Sequence, residues 1–384
     1  MGGIDGSTGA DPKGQTPINE AARLMTVCNS CRYCEGLCAV FPAIELRRVF
    51  KEGDLNYLAN LCHSCGACYV DCQFSPPHPF NVNVPRVLGQ VRAQSYAAYA
   101  WPRALSGLFA RNGLAISLIA ALSVAAFIAG FVAWHEPAAL FGMHTGPGAF
   151  YRLMPHNAMV ALFGAAFLYA VVALLMGMRA FWRDIGEPAA TLAEPASLWQ
   201  AIKDAAGLRY LDGGGDGCFN ADDKPADGRR IYHHLTFYGF LLCFASTSAA
   251  TAYHYLLGLP APYAWHALPV VLGTLGGVGI VIGPIGLLAA KARRDPDMAD
   301  AESLGMDVAF LAMLLLTGLT GLALLLLRET AAMGLLLALH LGVVLALFLT
   351  LPYGKFVHGL YRFLALLRYA RESRALARGG GAAD

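Results

Sequence analysis

Long uncharged stretches, each sufficient to cross a membrane, dominate the chain after residue 111. There are 24 uncharged residues between Arg111 and Glu136, and 26 between Arg152 and Arg179. A further 60 uncharged residues run from 231 to 290, interrupted by the loop "GLPAPY", whose two prolines would end a helix. Because about 20 apolar residues of helix span a bilayer core, we predict six membrane spans. Their approximate limits are 113–134, 154–178, 231–257, 267–290, 307–327 and 332–357.

Lysine and arginine are distributed unevenly between the two sides of these predicted spans. The loop 179–230 carries seven, the segment 291–294 carries three, and the chain from 355 onward carries six. The opposite loops carry only Arg152 and Arg328. The positive-inside rule therefore places both termini in the cytoplasm and the protein in the inner (cytoplasmic) membrane. The first 27 residues contain no apolar signal sequence, which agrees with this orientation.

Composition separates a cysteine-rich head from the membrane domain. The chain is 57% hydrophobic and 14% charged, and eight of its ten cysteines precede residue 73. We predict a disordered N-terminus (1–20), a head with an interfacial helix (21–110), a membrane domain (111–364) and a cytoplasmic tail (365–384). The net charge of +2 and the lack of a basic tract interleaved with aromatics argue against a nucleic-acid partner. The lipid bilayer is the expected surrounding of the membrane domain.

The head contains two cysteine runs with the same spacing, C-x2-C-x2-C-x3-C, in "CNSCRYCEGLC" and "CHSCGACYVDC". Three closely spaced thiolates can hold three corners of a [4Fe–4S] cluster, and the fourth cysteine commonly ligates the other cluster. Zinc ribbons use cysteine pairs with a longer spacer, so zinc fits this spacing less well. We therefore predict two clusters with crossed ligands. Cluster one takes Cys28, Cys31, Cys34 and Cys72, and cluster two takes Cys62, Cys65, Cys68 and Cys38.

Five histidines lie in or at the ends of the predicted spans: His233, His234, His254, His340 and His358. Histidine in an apolar span indicates function, and two imidazoles on facing helices can hold a b-type haem. The 18 residues from His340 to His358 put both on one face of span six, about 27 Å apart. His358 would then lie on the cytoplasmic side with the start of span three, and His340 on the outer side with His254.

Helical geometry favours His233 over its neighbour His234. His254 follows His233 by 21 residues, about 60° from its face, but lies about 200° from the face of His234. We predict one haem b, or two. The cytoplasmic-side haem uses His233 and His358, with His234 as the alternative to His233, and the outer-side haem uses His254 and His340. Four other residues are assigned no ligand role: His63 and His78 as surface or loop residues, His156 as an interfacial side chain, and Cys218 as a loop thiol.

Together these features predict an all-α protein. An N-terminal α-helical ferredoxin-like domain with two [4Fe–4S] clusters precedes a six-helix transmembrane cytochrome b-like bundle. Clusters in line with haem would carry single electrons from a two-electron donor to a lipid-soluble acceptor, a quinone. No flavin or nicotinamide motif is readable in the chain, so the donor is expected to be another protein. The competing hypothesis is a membrane-tethered iron–sulfur redox sensor or regulator without catalytic turnover.

Five segments carry a close resemblance to the tricarballylate- and citrate-utilization protein B family. They are "CNSCRYCEGLCAVFPAIELRR", "CHSCGACYVDCQFSPPHPFNVNVP", "LDGGGDGC", "RRIYHHLTFYGFLLCFASTSAATAYHY" and "LPYGKFVHGLYR". The likeness extends over about residues 20–370. It implies a membrane partner that reoxidises the FADH2 of a soluble tricarballylate dehydrogenase and passes the electrons to the quinone pool. The last span also resembles the cytochrome b subunits of nitrate reductase, whose final helix carries haem histidines at the same separation as His340 and His358.

Overall fold

The structure, a computed structural model, describes residues 16–134 and 140–380. These residues form fourteen α-helices and one short antiparallel pair of strands. The head contains α1 (Pro17–Cys31), α2 (Val40–Glu45), α3 (Glu52–Leu61), α4 (Ala67–Val70) and α5 (Val84–Ala98). The rest contains α6 (Asn112–Trp134), α7 (Ala149–Leu153), α8 (His156–Asp184), α9 (Pro195–Ala206), β1 (Cys218–Phe219), β2 (Pro225–Ala226), α10 (Gly228–Leu257), α11 (Leu268–Ala292), α12 (Leu304–Leu327), α13 (Met333–Thr350) and α14 (Val357–Gly380).

Local signals set the limits of the head helices. Pro17 occupies the first turn of α1, where the missing N–H costs no helical hydrogen bond. The helix ends at Arg32, which has a left-handed φ of 58°. The side chain of Asn83 accepts a hydrogen bond from the Arg86 nitrogen at 3.2 Å and so caps α5. Of the N-terminal segment predicted to be disordered, residues 1–15 lie outside the described residues, and the structure places residues 17–20 in the first turn of α1.

Six helices are long and apolar enough to cross a membrane: α6, α8, α10, α11, α12 and α13. They confirm the predicted all-α fold with six spans. Leucines such as Leu118, Leu122 and Leu168 are more than half exposed on the outer faces of these helices, as expected where lipid surrounds them. The ends that contact the head define the head side of the membrane domain, and the opposite ends define its far side.

The close approach of α10 and α11 explains the glycines of the fourth span. A methyl group on Gly276 would lie 2.7 Å from the backbone nitrogen of Cys243, and one on Gly279 would lie 2.9 Å from the Leu235 oxygen. Neither distance leaves room for a side chain. The small residues therefore let two membrane helices pack backbone to backbone.

The sixth span differs from the prediction. Helix α13 ends at Thr350, a short 3-10 turn follows at Leu351–Tyr353, and Gly354 has an extended backbone before α14 begins. Pro352 lies in this turn, where its ring and missing N–H oppose a continuous helix. This corrects the predicted limit of 332–357. It also corrects the argument that His340 and His358 share one helix face, because the two residues lie on different helices.

Helix α14 is a structural element that joins the head to the membrane domain. One hydrophobic core includes Leu24 and Leu58 of the head, Phe181 of α8, and Leu364 and Ala365 of α14. The structure thus corrects the predicted division at 364. Residues 365–380 continue α14, and only 381–384 of the predicted tail lie outside the described residues.

Buried ion pairs reinforce this junction. Arg47 of the head is buried, and it donates to Asp54 at 2.9 Å and to Glu372 of α14 at 2.6 Å. Arg368 of α14 contacts the same two carboxylates, Glu372 at 2.9 Å and Asp54 at 3.3 Å. The four side chains form one network between α3, the α2–α3 loop and α14.

We expect Arg47→Ala to destabilise the protein by about 3 kcal/mol, the lower end of the cost of removing one partner from a buried ion pair. The lower end applies because Arg368 still contacts both carboxylates. The adjacent Arg48 is exposed, so Arg48→Ala should change the free energy of unfolding by no more than about 0.5 kcal/mol. Chemical denaturation of the detergent-purified protein measures both values. Equal destabilisation by the two variants would contradict the role of the network.

Candidate redox centre

The first three cysteines of the head meet the last cysteine of the second run. Cys28 and Cys31 lie in the last turn of α1, Cys34 follows in the next turn, and Cys72 follows α4. All four line one small cavity. Cys68 also reaches this cavity, and the remaining walls are mainly apolar: Val27, Phe41, Phe74, Val82 and Val84. The structure brings together the four residues predicted to hold cluster one, and their role as ligands stays a prediction.

The other four cysteines are grouped beside this cavity. Cys62 follows α3, Cys65 lies in the loop before α4, and Cys68 is in α4 itself. After burial, the charges of Cys65 and Cys62 contribute most to the raised pKa of Cys38. The charges of Cys65, Cys62 and Cys38, followed by that of Cys34 in the first group, raise the pKa of Cys68 in addition to burial. Cys38 therefore lies with the second run, which is the crossed arrangement predicted for cluster two.

Four thiols in each group are the donor set that a [4Fe–4S] cluster requires, and burial keeps these thiols protonated while no metal is bound. Burial, with a smaller effect of neighbouring thiols, raises the pKa of Cys28 and of Cys34 to about 12. Burial raises the pKa of Cys65 to about 11. Such thiols are protonated at neutral pH, so cluster binding would release protons. Across residues 16–134 and 140–380, no three His, Cys, Asp or Glu side chains are close enough to bind a single metal ion. Wider spacing is compatible with a cluster, whose inorganic core lies between its thiolates.

The glycine-rich segment "LDGGGDGC" covers the second group of cysteines. The backbone nitrogen of Phe219 donates to the Cys65 oxygen at 2.9 Å, and Cys218 is buried beside Cys65. A methyl group on Gly214, whose φ is +85°, would lie 3.0 Å from the Leu37 side chain. Cys218 was expected to be an ordinary loop thiol, but the structure places it against the head. The run of glycines was the signal in the sequence for this close approach.

His63, between Cys62 and Cys65, is buried rather than a surface residue. Its Nδ1 lies 2.9 Å from the Leu61 oxygen. Burial first, and then the positive charges of nearby arginines, lower its pKa well below the usual value. His63 is therefore a neutral structural side chain at neutral pH. The predicted loop position is correct, and the expected exposure is wrong because α5 and the arginines cover this loop.

On the head side, the structure brings His233 and His358 together. Their ring centroids are 6.0 Å apart, with an angle of 77° between the ring planes. Two imidazoles on opposite sides of one iron, with nitrogens about 2 Å from the metal as in other imidazole complexes, have centroids about 6 Å apart. The Nδ1 of His358 lies 2.5 Å from the Lys355 oxygen, and the Nδ1 of His233 is buried without a partner. The two residues fit a bis-histidine haem site, in which a backbone contact through Nδ1 orients the ring.

His234 faces a different part of the protein. Its Nε2 lies 3.2 Å from the Ala206 oxygen at the end of α9, and its ring lies near Tyr238. Adjacent residues on a helix point about 100° apart, so only one of them can face α14. This geometry supports the choice of His233 over His234, which stays a prediction.

On the far side, the predicted pair His254 and His340 is not brought together. The ring of His254 instead stacks on His156 with 3.5 Å between centroids, which leaves no space for an iron between them. The Nδ1 of His340 lies 3.0 Å from the hydroxyl of Thr320 on α12. This corrects the outer-side haem pairing. His340 and His358 do not share a helix face, because the chain breaks after α13. The neighbours of His254 come from α7 and α8.

A far-side cleft of about 160 Å³ lies beside the stacked histidines. It is lined by residues of α7, α8, α10, α13 and the loop before α11, among them Tyr151, His156, Thr251, Tyr263 and Leu337. His156 was expected to be an ordinary interfacial side chain, yet it borders this cleft. The described residues offer facing histidines at haem spacing only on the head side.

Arginines connect the second cysteine group to the head-side histidines. Arg92 and Arg362 both donate to the Cys62 oxygen, at 2.6 and 2.8 Å. Arg229 donates to the oxygens of Ser64 at 2.6 Å and His63 at 3.1 Å. Burial, followed by neighbouring guanidinium groups, lowers the pKa of Arg362 to about 10. No local pattern in the sequence marks these residues as a group, because their convergence depends on three separate helices.

Comparisons with known proteins agree with this architecture. Residues 21–98 match the citrate utilization protein B Fer4-like domain, and residues 107–379 match citrate utilization protein B. The citrate utilization protein B of Escherichia coli is 47% identical over 374 residues, covering 96% of each chain. No solved structure matches the chain. The Fer4-like match supports iron–sulfur binding by the head, and the resemblance drawn from the five sequence segments is confirmed. The chain belongs to the citrate utilization protein B family.

Proposed function

We propose that this protein transfers electrons from a cytoplasmic FAD-dependent dehydrogenase, through two [4Fe–4S] clusters and a b-type haem, to the membrane quinone pool. The observation that supports this proposal most is the alignment of three sites from the head to the membrane. The first cysteine group adjoins the second, and Arg362 contacts Cys62 of the second group while lying one helical turn from His358. When bound, the clusters and the haem supply one-electron carriers, which the amino-acid side chains do not.

The residues of the chain would hold these groups and exclude water from them. The eight cysteines supply thiolates from short loops and helix ends, whose positions depend on the core shared by the head and α14. His233 and His358 supply two imidazoles at the boundary between the head and the membrane helices. The hydrogen bonds from Arg92, Arg229 and Arg362 fix the loop of Cys62, which lies between the two kinds of site.

The first cysteine group is the proposed entry point for electrons, because it lies closest to exposed surface of the head. Tyr33, which borders its cavity, is 70% exposed, and Phe80 nearby on the head is 48% exposed. The side chain of Gln73 contacts the Cys31 sulfur at 3.9 Å from the solvent side. Exposed aromatic side chains are typical of protein interfaces. A flavoprotein seated here would place its flavin next to the first group.

The excess of lysine and arginine on the head side supports a cytoplasmic head, and hence cytoplasmic termini in the inner membrane. The family name supports a donor that acts on citrate or a related tricarboxylate. The proposed partner is therefore a soluble FAD enzyme of a citrate or tricarballylate pathway.

We expect the purified protein to contain about eight non-haem irons per chain and b-type haem. After reduction and removal of the excess reductant, a soluble quinone should reoxidise the haem and the clusters. Stopped-flow absorbance in the haem and cluster bands measures this reaction, and the same quinone added to a preparation stripped of metal is the control. Clusters and haem that stay reduced in the presence of quinone would contradict the proposal and favour a redox sensor.

A further inference from the structure

Four arginines converge near Cys62: Arg92 on α5, Arg229 on α10, Arg294 after α11 and Arg362 on α14. Of these, Arg229 and Arg362 also lie near His233. We call all four the arginine group. Arg92 and Arg362 share the Cys62 oxygen as acceptor, at 2.6 and 2.8 Å. Arg92 also donates to the Ser64 hydroxyl at 3.0 Å, and Arg229 donates to the Ser64 oxygen at 2.6 Å. Arg294 is close enough to Arg92 and Arg229 for their charges to repel it.

The arginine group has little countercharge among the described residues: the Asp307 carboxylate, whose charge acts on Arg294, is paired with Lys291 and Lys355 instead. Within the two described stretches, none of its members forms an ion pair with a carboxylate. At the junction of the head with α14, by contrast, Arg47 and Arg368 each contact two or more carboxylates. Four half-buried guanidinium groups repel one another and lose hydration, so an anion among them would stabilise the arrangement.

Donors remain free to bind such an anion. A guanidinium carries five N–H donors in a planar fork. Among residues 16–134 and 140–380, the Arg294 side chain donates to the Met298 oxygen alone, at 2.8 Å. The hydrogen bonds of the other three arginines go to neutral acceptors, the backbone oxygens of the 59–64 segment and the Ser64 hydroxyl.

The position of the arginine group relative to the histidines identifies the anion. Arg229 precedes His233 by four residues on α10, and Arg362 follows His358 by four residues on α14. Residues four apart lie on one helix face, about one turn from each other. Because α10 leaves the head side and α14 enters it, both arginines lie on the head side of the histidine pair. Two guanidinium groups thus border the same edge of the space between the two imidazoles.

We propose that the arginine group binds the propionate carboxylates of the haem held by His233 and His358. This inference rests on the proposed function. A haem b carries two propionates on one edge, and a guanidinium binds a carboxylate through two parallel hydrogen bonds. A haem held by His233 and His358 would lie between α10 and α14, and Arg229 and Arg362 are on its head side. A phospholipid phosphate offers similar chemistry, but no histidine pair would fix its position there.

This binding mode has a consequence for the haem potential. A positive charge beside the haem favours the reduced iron, which carries one positive charge fewer than the oxidised iron. Removal of one arginine should therefore stabilise the oxidised state and lower the midpoint potential. The same removal should weaken haem retention, because one carboxylate loses a charged partner.

Two pairs of adjacent arginines provide matched controls. Arg294 and Arg229 belong to the group, whereas Arg293 is exposed and Arg230 donates to the Gly207 oxygen at 3.1 Å. In the purified full-length protein, Arg294→Gln and Arg229→Gln should each lower the reduction equilibrium constant of the haem about tenfold, equal to about 59 mV for one electron. Arg293→Gln and Arg230→Gln should leave it unchanged. Spectroelectrochemical titration of the haem bands measures all four.

Further readouts separate this role from a purely structural one. Arg294→Lys keeps the charge, so it should restore most of the potential. Non-haem iron per chain should stay at the wild-type value in every variant, which shows that the head is folded. The midpoint potential of cluster two and the phospholipid phosphate retained per chain are measured on the same samples.

Three results would overturn the inference: an unchanged haem potential in both group variants, a shift confined to the clusters, or a loss of bound phospholipid phosphate at constant haem potential. The last result would assign the arginines to a lipid headgroup. A wild-type protein without haem would overturn the proposed function and this inference together, and it is recognised before any variant is made. If quinone reoxidises the wild-type haem but the arginine variants do not change its midpoint potential, the inference is refuted and the proposed function is not.

Discussion

His233→Ala is expected to remove the head-side haem, whereas His234→Ala is expected to leave it in place. The His233 ring lies 6.0 Å from that of His358, at the spacing of two axial ligands. His234 instead contacts the Ala206 oxygen at 3.2 Å, away from α14. Loss of a residue that only supports a metal ligand can lower metal affinity by about 100-fold. Loss of an imidazole ligand itself should therefore lower haem affinity by at least about 100-fold. His358→Ala should have the same effect as His233→Ala.

Haem absorbance per chain in the purified variants measures this result, and non-haem iron per chain serves as the internal control. The iron content should stay at the wild-type value, because neither histidine contacts the cysteine groups in the structure. Retention of haem in His233→Ala together with its loss in His234→Ala would mean that α10 is rotated relative to α14. His254→Ala should leave the head-side haem intact, because His254 contacts His156 on the far side.

Pairs of cysteine substitutions are expected to show whether each cluster takes its fourth ligand from the other cysteine run. With crossed ligands, Cys28 and Cys72 serve the same cluster, so the Cys28→Ser, Cys72→Ser double variant should lose about four of about eight irons. Cys28 and Cys38 serve different clusters, so Cys28→Ser combined with Cys38→Ser should lose nearly all the iron. Two substitutions within one unit are not additive, whereas substitutions in separate units are.

The physical basis is the grouping of the thiols. Cys72 lines the cavity of the first three cysteines. Cys65 and Cys62 are the thiols whose charges contribute to the raised pKa of Cys38. Non-haem iron and acid-labile sulfide per chain are the measurements. Cys243→Ser is the control, because Cys243 lies on α10 against α11, away from the head. If the Cys28 and Cys72 pair loses all the iron while the Cys28 and Cys38 pair keeps half, each run holds its own cluster.

The sequence alone determined the features that depend on local pattern or on lipid. Six spans followed from uncharged length, because a backbone in hydrocarbon must satisfy its hydrogen bonds within each helix. The cysteine spacing predicted two cluster sites, and a helical-face count favoured His233 at the head side. Each of these inferences uses residues within one helix or one loop.

The tertiary structure decided where separate elements meet. The break at Leu351–Tyr353 puts His340 and His358 on different helices, and the helix that follows becomes the junction with the head. The neighbours of His254 are supplied by α7 and α8 rather than by α13. A count of residues along one assumed helix could not detect either result.

The arginine group shows most clearly what sequence could not determine. The pattern four residues apart is visible in "RRIYHH" and "HGLYR", but Arg92 and Arg294 join it only when α5 and the end of α11 reach the Cys62 loop. The sequence determined which residues could bind metal and which segments enter the membrane, because periodicity and spacing act within one element. Which charges and imidazoles face one another was decided by the packing of distant helices, since contacts between them carry no signature in local sequence.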